Sequence, residues 1–360
     1  MKKFILKSSC FFLPFFLLVL LSNFFYTEEE GDLIRMGYIY RDPNYRKNFP
    51  QSEPQTKSYY KLSESVFLSK KKYDILVIGD SFSHQEKGFL YYLTKNHHLD
   101  CLLFNYKNYN PIQNLITTLN SDLLSNMDID YIILESVERL IISHIDSLDF
   151  EKNLLIDTID EQNKRESDNE LDLNLKILRM LFYDILRPHA SCKKKVYKFD
   201  LKKSLFSDCR DNVLLCYEDD VKNIEHNNNE SSVRKLNQLF NELANACNKY
   251  GVKLIVLPAP DKYDAYFDFI KDNEMLESPN FFSILNMLPK DYIYIDSKSI
   301  FSTKLKEGMK DLYYFDDTHW SPIGAQLISN IIADSIKAKP HYSSSDNRSC
   351  SAILDSLSLP

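Results

Sequence analysis

The chain of 360 residues carries 44 basic and 51 acidic side chains and is 44% apolar, a balance of a folded protein with one large or two small domains, not of a disordered one. Its net charge of -7 is spread along the chain, which excludes the concentrated basic footprint of a nucleic-acid binder. With only 7 glycines, those at Gly79, Gly251 and Gly324 are informative, because each falls at an element boundary.

In chain order, Lys2, Lys3 and Lys7 precede an apolar run from about Cys10 to Tyr26, and Glu28, Glu29 and Glu30 follow it. Basic residues before and acidic residues after keep the N-terminus in the cytoplasm. The run is short for a membrane span, so a secretory signal peptide is the alternative. The exit Ser-Asn-Phe-Phe-Tyr offers no small-x-small cleavage site, which favours an uncleaved signal-anchor over residues 1–26. Residues 27–72 are polar and irregular and read as a stalk and lead-in. Tyr73 to Ile78 is a short β-branched run ended by Gly79, the pattern of a buried parallel strand. A helix is predicted over 86–96, a strand in CLLFNY, a helix led by Pro111, and a strand centred on Tyr131 to Leu134. From about 137 to 230 the alternation is lost in a charge-rich insertion. It returns with an amphipathic helix ending at Gly251, strands in VKLIVLPAP and DYIYIDS, and a last helix over 321–338 with Pro322 in its first turn. Residues 339–360 form a polar tail.

Strands alternating with helices give βαβ units, hence a three-layer α/β/α sandwich with a mostly parallel sheet over residues 73–338. Loops at the carboxyl ends of such strands carry function. There stand Ser81 in GDSFS, Glu135, Ser136 and Arg139 in ESVER, and the loop after VKLIVL. A serine hydroxyl needs a base to take its proton, a histidine suits that task near neutrality, and a carboxylate fixes the histidine's tautomer. His319 in DLYYFDDTHWSPIGA is such a base, with Asp316 and Asp317 both at hand; Gly79 and Asp80 shape the serine turn and Gly324 the start of the last helix. Ser83 is the less favoured nucleophile, and His84 is too local to Ser81 to serve as its base. His97 and His98 have no metal-ligand spacing with nearby acids, and no metal or bound cofactor is called for. Cys209 and Cys216 could close a small hairpin in an oxidising space or stand as free thiols.

GDSFS with a downstream Asp-x-His resembles the SGNH (GDSL-like) hydrolases and acyltransferases, and most closely their alginate O-acetyltransferase (AlgX/AlgJ-like) branch. ESVER resembles that branch's Glu-x-x-x-Arg element. VKLIVLPAPDKYDAY resembles its Pro-x-Pro-x-Lys-x-x-x-Tyr element, with Lys262 and Tyr266 in register. LYYFDDTHWSPIGA resembles its Asp-Thr-His-Trp element almost residue for residue. The resemblance covers about 73–143 and 231–337 and implies Ser81 as nucleophile, His319 as base and Asp317 as its partner, with Asp316 the alternative given by the broader SGNH spacing. In AlgX and AlgJ the histidine element precedes the serine motif, whereas here it follows, as in ordinary SGNH enzymes. The usual SGNH glycine and asparagine oxyanion donors have no clear counterpart; Asn105 and Ser136 are the candidates, and the Ser81 N–H is the favoured donor. Glu135 and Arg139 are either a structural ion pair or a substrate-binding pair, Lys262 either a loop lysine or a site residue, and Trp320 either core or ligand-facing.

The resemblance implies an O-acyltransferase, specifically an acetyltransferase of an envelope or exported polysaccharide, working through an acyl-serine. It also implies a glycan acceptor and an acyl donor relayed by a multispanning membrane acyltransferase of the MBOAT type. With the signal-anchor, it puts the catalytic domain on the periplasmic side of the inner membrane. An acetyl-esterase, a catalytically silent glycan-binding or assembly protein, and a transferase of another acyl chain are the alternatives.

Overall fold

The structure, a computed structural model, describes residues 7–8, 11–15, 17, 31–33, 45–49, 59–62, 72–104, 110–152, 195–207 and 212–337. Three long apolar runs set its centre. β2 (Lys72–Ile78), β4 (Asp128–Val137) and β7 (Lys253–Ala259) lie side by side and parallel. β3 (Cys101–Leu103) and the two-residue β1 (Tyr60–Lys61) extend one edge, and β8 (Ile293–Tyr294) the other, in the order β1-β3-β2-β4-β7-β8 with every pairing parallel.

Both faces of the sheet are covered, so the middles of its strands, such as residues 75–78 and 131–134, are continuous apolar runs. On β2, Tyr73, Leu76 and Ile78 enter one core while Ile75 and Val77 enter the other, and β4 and β7 divide in the same way. The first core is closed by α2 (Pro111–Leu119), α3 (Glu230–Lys249) and α5 (Phe281–Met287). The second is closed by α1 (Phe89–His97), α6 (Ser297–Lys306) and α7 (Pro322–Lys337), with the short α4 (Lys262–Tyr266) beside them. Helix starts follow the local chemistry. Asn110 accepts from the Gln113 N–H ahead of Pro111, and Asn229 accepts from the Ser232 N–H at the head of α3. The fold is therefore an α/β layering around a six-stranded parallel sheet, as the alternation of elements predicts.

Three sequence expectations meet a different outcome. The strand predicted in CLLFNY ends at Leu103. The fifth strand, DYIYIDS, shrinks to Ile293–Tyr294, because Asp296 is drawn off to cap α6 through the Ser299 N–H. The insertion holds an antiparallel pair, β5 (Val196–Asp200) with β6 (Val213–Tyr217), and β6 is buried against the second core instead of standing apart. Cys216 is a free, buried thiol, the second of the two alternatives its sequence left open. Cys209 itself, Asn105, most of the predicted anchor, residues 153–194 and the tail lie outside the described residues. Among the described residues no helix is long and apolar enough to cross a membrane.

The described parts of residues 27–72 pack against the domain and are not a free stalk. The Leu33 N–H donates to the Asp316 carbonyl, and the Tyr45 hydroxyl donates to Asp311 Oδ1 while accepting from the Phe315 N–H. Gly31 lies so close to the Asp316 carbonyl that an added Cβ would sit 2.0 Å from it, which only glycine allows.

Candidate active site

Two loops, both at the carboxyl edge of the sheet, meet across the chain. The first follows β2. Gly79 is required there by contact, since a Cβ would fall 2.0 Å from Ser83 Oγ and 2.6 Å from Glu135 Oε2. Asp80 ties this turn to the end of β4, its Oδ2 accepting from the Val137 N–H at 2.7 Å and its Oδ1 from the Phe82 N–H. Glu135, fully buried on β4, accepts at Oε2 from Ser83 Oγ (2.8 Å) and from the Asp80 N–H (3.1 Å). Burial, then the Asp80 charge, pushes the Glu135 carboxyl well above its ordinary range. Ser83 is thereby locked inward. Ser81 is exposed, and its N–H has no hydrogen-bond partner among the described residues.

The second loop is closed by an antiparallel bridge between Tyr313 and Trp320 and by the Tyr314 N–H donating to the His319 carbonyl. Ser321 ends it: its Oγ accepts from the Ile323 N–H and donates to the Asp311 carbonyl, starting α7 at Pro322. Gly324 lets this helix start press against the beginning of the loop, where a Cβ would lie 2.1 Å from the Leu312 carbonyl oxygen.

Across the gap, His319 Nε2 lies 2.8 Å from Ser81 Oγ, 238 residues away in sequence, and His319 Nδ1 lies 2.7 Å from Asp317 Oδ1. Burial acts to raise the Asp317 carboxyl. The His319 hydrogen bond and charge, followed by Arg46, outweigh it and hold the group well below the usual carboxylate range. Asp316, one residue earlier, points to Arg46, which grips it through Nε and Nη2 at 2.9–3.1 Å. The two aspartates thus divide their partners: Asp317 faces the imidazole and Asp316 does not. A hydroxyl, an imidazole and an ionised carboxylate in this row can pass a proton from Ser81 to His319 while the carboxylate steadies the imidazolium. Asp32, Asp317 and His319 also place ligand atoms within 4.8 Å of one another.

The remaining sequence candidates sit elsewhere. Lys262 is fully buried, and its Nζ donates to the carbonyls of Tyr314 (2.7 Å), Phe315 (2.7 Å) and Asp317 (3.1 Å). Its three donors are consumed by the histidine loop, and burial lowers its amine to about 8. Tyr266 is fully buried with its hydroxyl accepting from the Tyr313 N–H, so it meets the loop and not solvent. Trp320 is core, packed edge-on against Phe82, Phe89 and Phe301, while Phe82 also lies 4.9 Å from the His319 ring. Glu135 and Arg139 do not pair. Arg139 holds Asp261 (2.9 Å) and Asp220 (3.2 Å), and Glu135 keeps Asp80 and Ser83. Ser136 is buried and shares a hydrogen bond with His144.

The sequence reading missed Arg46 and Tyr45. No local pattern marks an arginine that acts 270 residues away. The one available signal is compositional, since GDLIRMGYIYRDPNYRKNF holds more apolar and aromatic residues than a solvated stalk needs.

Residues 217–352 match the family model described as the SGNH hydrolase-like domain of the acetyltransferase AlgX. The matched segment contains Lys262, Asp316, Asp317 and His319, whereas Ser81 and Arg46 lie outside it. No curated protein and no solved structure matches the chain. Over residues 217–352 the chain is therefore similar to an SGNH hydrolase-like, AlgX acetyltransferase domain, and the parallel α/β sheet is of the layering expected for one.

Proposed function

We propose that the chain is a serine O-acetyltransferase acting on an exported polysaccharide, with Ser81 as nucleophile, His319 as base and Asp317 as its partner. The observation that carries this reading is the unbroken row from Ser81 Oγ through His319 to Asp317, at 2.8 and 2.7 Å. In the first half-reaction His319 Nε2 takes the Ser81 proton as Oγ bonds to the carbonyl carbon of an acetyl donor. The tetrahedral adduct collapses by breaking the donor's C–O bond, and the leaving alkoxide takes the proton from His319. In the second, a sugar hydroxyl gives its proton to His319 and attacks acetyl-Ser81. The bond between the acetyl carbon and Ser81 Oγ then breaks, and Oγ recovers its proton from His319. The Ser81 N–H supplies one donor to the oxyanion. Glycan acceptor, donor relay by an MBOAT-type membrane acyltransferase, and attachment to the membrane with the domain on the extracytoplasmic side belong to this proposal through the resemblance of its motifs.

The test is intact-protein mass spectrometry of the full-length chain after mixing with 4-nitrophenyl acetate. An acetyl adduct on Ser81 that vanishes in Ser81→Ala, and is discharged faster by added polysaccharide, supports the proposal. Discharge unaffected by any glycan makes the chain an acetyl-esterase, and absence of any adduct removes the serine mechanism.

A further inference from the structure

The Asp317 carboxylate has two oxygens, and His319 uses one. The other, Oδ2, accepts from Arg46 Nη2 at 3.0 Å. Arg46 comes from a 3-10 turn, Tyr45–Asn48, that belongs to no strand of the sheet and lies far outside the matched segment. Its guanidinium is anchored along its edge and on one face. Asp316 takes Nε and Nη2, the Tyr314 ring lies 3.7 Å beneath the guanidinium carbon, and the neighbouring Tyr45 hydroxyl is fixed to Asp311 and the Phe315 N–H. A planar fork held in this way sets the angle of a carboxylate as a lysine could not.

Resting on the assignment of Ser81, His319 and Asp317 above, we infer that Arg46 is a positioning residue of the active site: it fixes the Asp317 carboxylate against His319, and the N-terminal segment must be docked for the site to be complete. Asp316 then has a role of its own, which is to hold Arg46. This accounts for two adjacent aspartates where proton transfer needs one. A guanidinium next to the carboxylate also keeps it ionised, so it remains an acceptor for the His319 N–H throughout turnover.

The test is a double-mutant cycle on the full-length chain, reading 4-nitrophenyl acetate turnover, with thermal unfolding to verify that each variant folds. Arg46→Ala lowers kcat about 10–100-fold with little change in KM, the size expected for a misaligned base. In the Asp317→Asn background the same substitution adds less than about 2-fold, because the residue it acts through is already disabled. Arg46→Lys falls between wild type and Arg46→Ala, and added guanidinium ion restores part of the activity of Arg46→Ala but not of Asp317→Asn. A merely structural arginine gives equal losses in both backgrounds and no guanidinium rescue, and that result overturns the inference, as does wild-type turnover in Arg46→Ala. Should Arg46→Ala fail to fold, Arg46→Gln and Arg46→Lys are carried through the same cycle: a loss that shrinks in the Asp317→Asn background supports the inference, and an equal loss in both backgrounds overturns it. Equal turnover by wild type and Ser81→Ala overturns the catalytic reading itself, an outcome the cycle keeps separate from the fate of Arg46.

Discussion

The loops that bring Ser81 and His319 together are held by opposite chemistry. The serine loop is pinned by acids: Asp80 and Glu135 accept from the N–H groups of Asp80, Phe82 and Val137 and from the Ser83 hydroxyl. The histidine loop is pinned by cations: Lys262 donates to three of its carbonyls from below, and Arg46 grips its two carboxylates from the N-terminal segment. The difference follows from what each loop leaves unpaired. A tight turn off a strand end presents N–H groups, which need acceptors. A loop closed on itself by a single bridge leaves carbonyls inward, which need donors. The two sides also differ in the charge of their carboxyls, since Glu135 is driven toward its neutral form by burial and Asp80 while Asp317 is driven toward its anion by His319 and Arg46.

The largest expected effect tests whether the two carboxylates on the cation side differ as their partners do. Asp317→Asn should lower turnover about 10³–10⁴-fold, since the amide favours the wrong imidazole tautomer. Asp316→Asn should lose no more than about 100-fold, because it acts only through Arg46. Steady-state kinetics on the two purified variants decide it, and the reverse order would assign Asp316 as the partner of His319. Next in size is the clamp from below. Lys262→Met takes the Nζ donor from three partly buried carbonyls, and should reduce stability by about 1–3 kcal/mol in urea unfolding while lowering turnover. Unchanged turnover at reduced stability would mean that Arg46 alone sets the loop.

How far the sequence reveals this depends on distance along the chain. The parallel sheet, its helices and the motifs bearing Ser81 and His319 are legible because each rests on local signals: an apolar run ended by Gly79, Pro111 and Pro322 at helix starts, Asp-Thr-His-Trp as a contiguous string. Which aspartate faces His319 is legible only through the resemblance, which favours Asp317, and not from spacing. Spacing permits both, and the choice is made by Arg46 occupying Asp316. Lys262 and Tyr266 are legible as matching positions but not as buried ones, since nothing in DKYDAY says that its lysine turns inward to carbonyls more than fifty residues away. Arg46 lay beyond both signals, having neither a motif nor a periodic face.

The smallest expected effect reads the acid side directly. Glu135 has its carboxyl raised by burial and by Asp80, so the folded chain keeps a proton there that the unfolded chain releases near the ordinary value of 4.5. Its contribution to stability is therefore fully present below about pH 4.5 and is lost as pH rises through the folded value, at up to about 1.4 kcal/mol per pH unit. Glu135→Gln copies the neutral acid in shape, can still accept from Ser83 Oγ and the Asp80 N–H, and has no proton to lose. Urea unfolding at pH 5, 6 and 7 should show the variant gaining on wild type as pH rises, with acyl turnover largely retained. A stability difference that stays constant over this range would mean that Glu135 is ionised in the folded chain. The serine loop would then be held by charge, as the histidine loop is, and the contrast between the two sides would be one of sign alone.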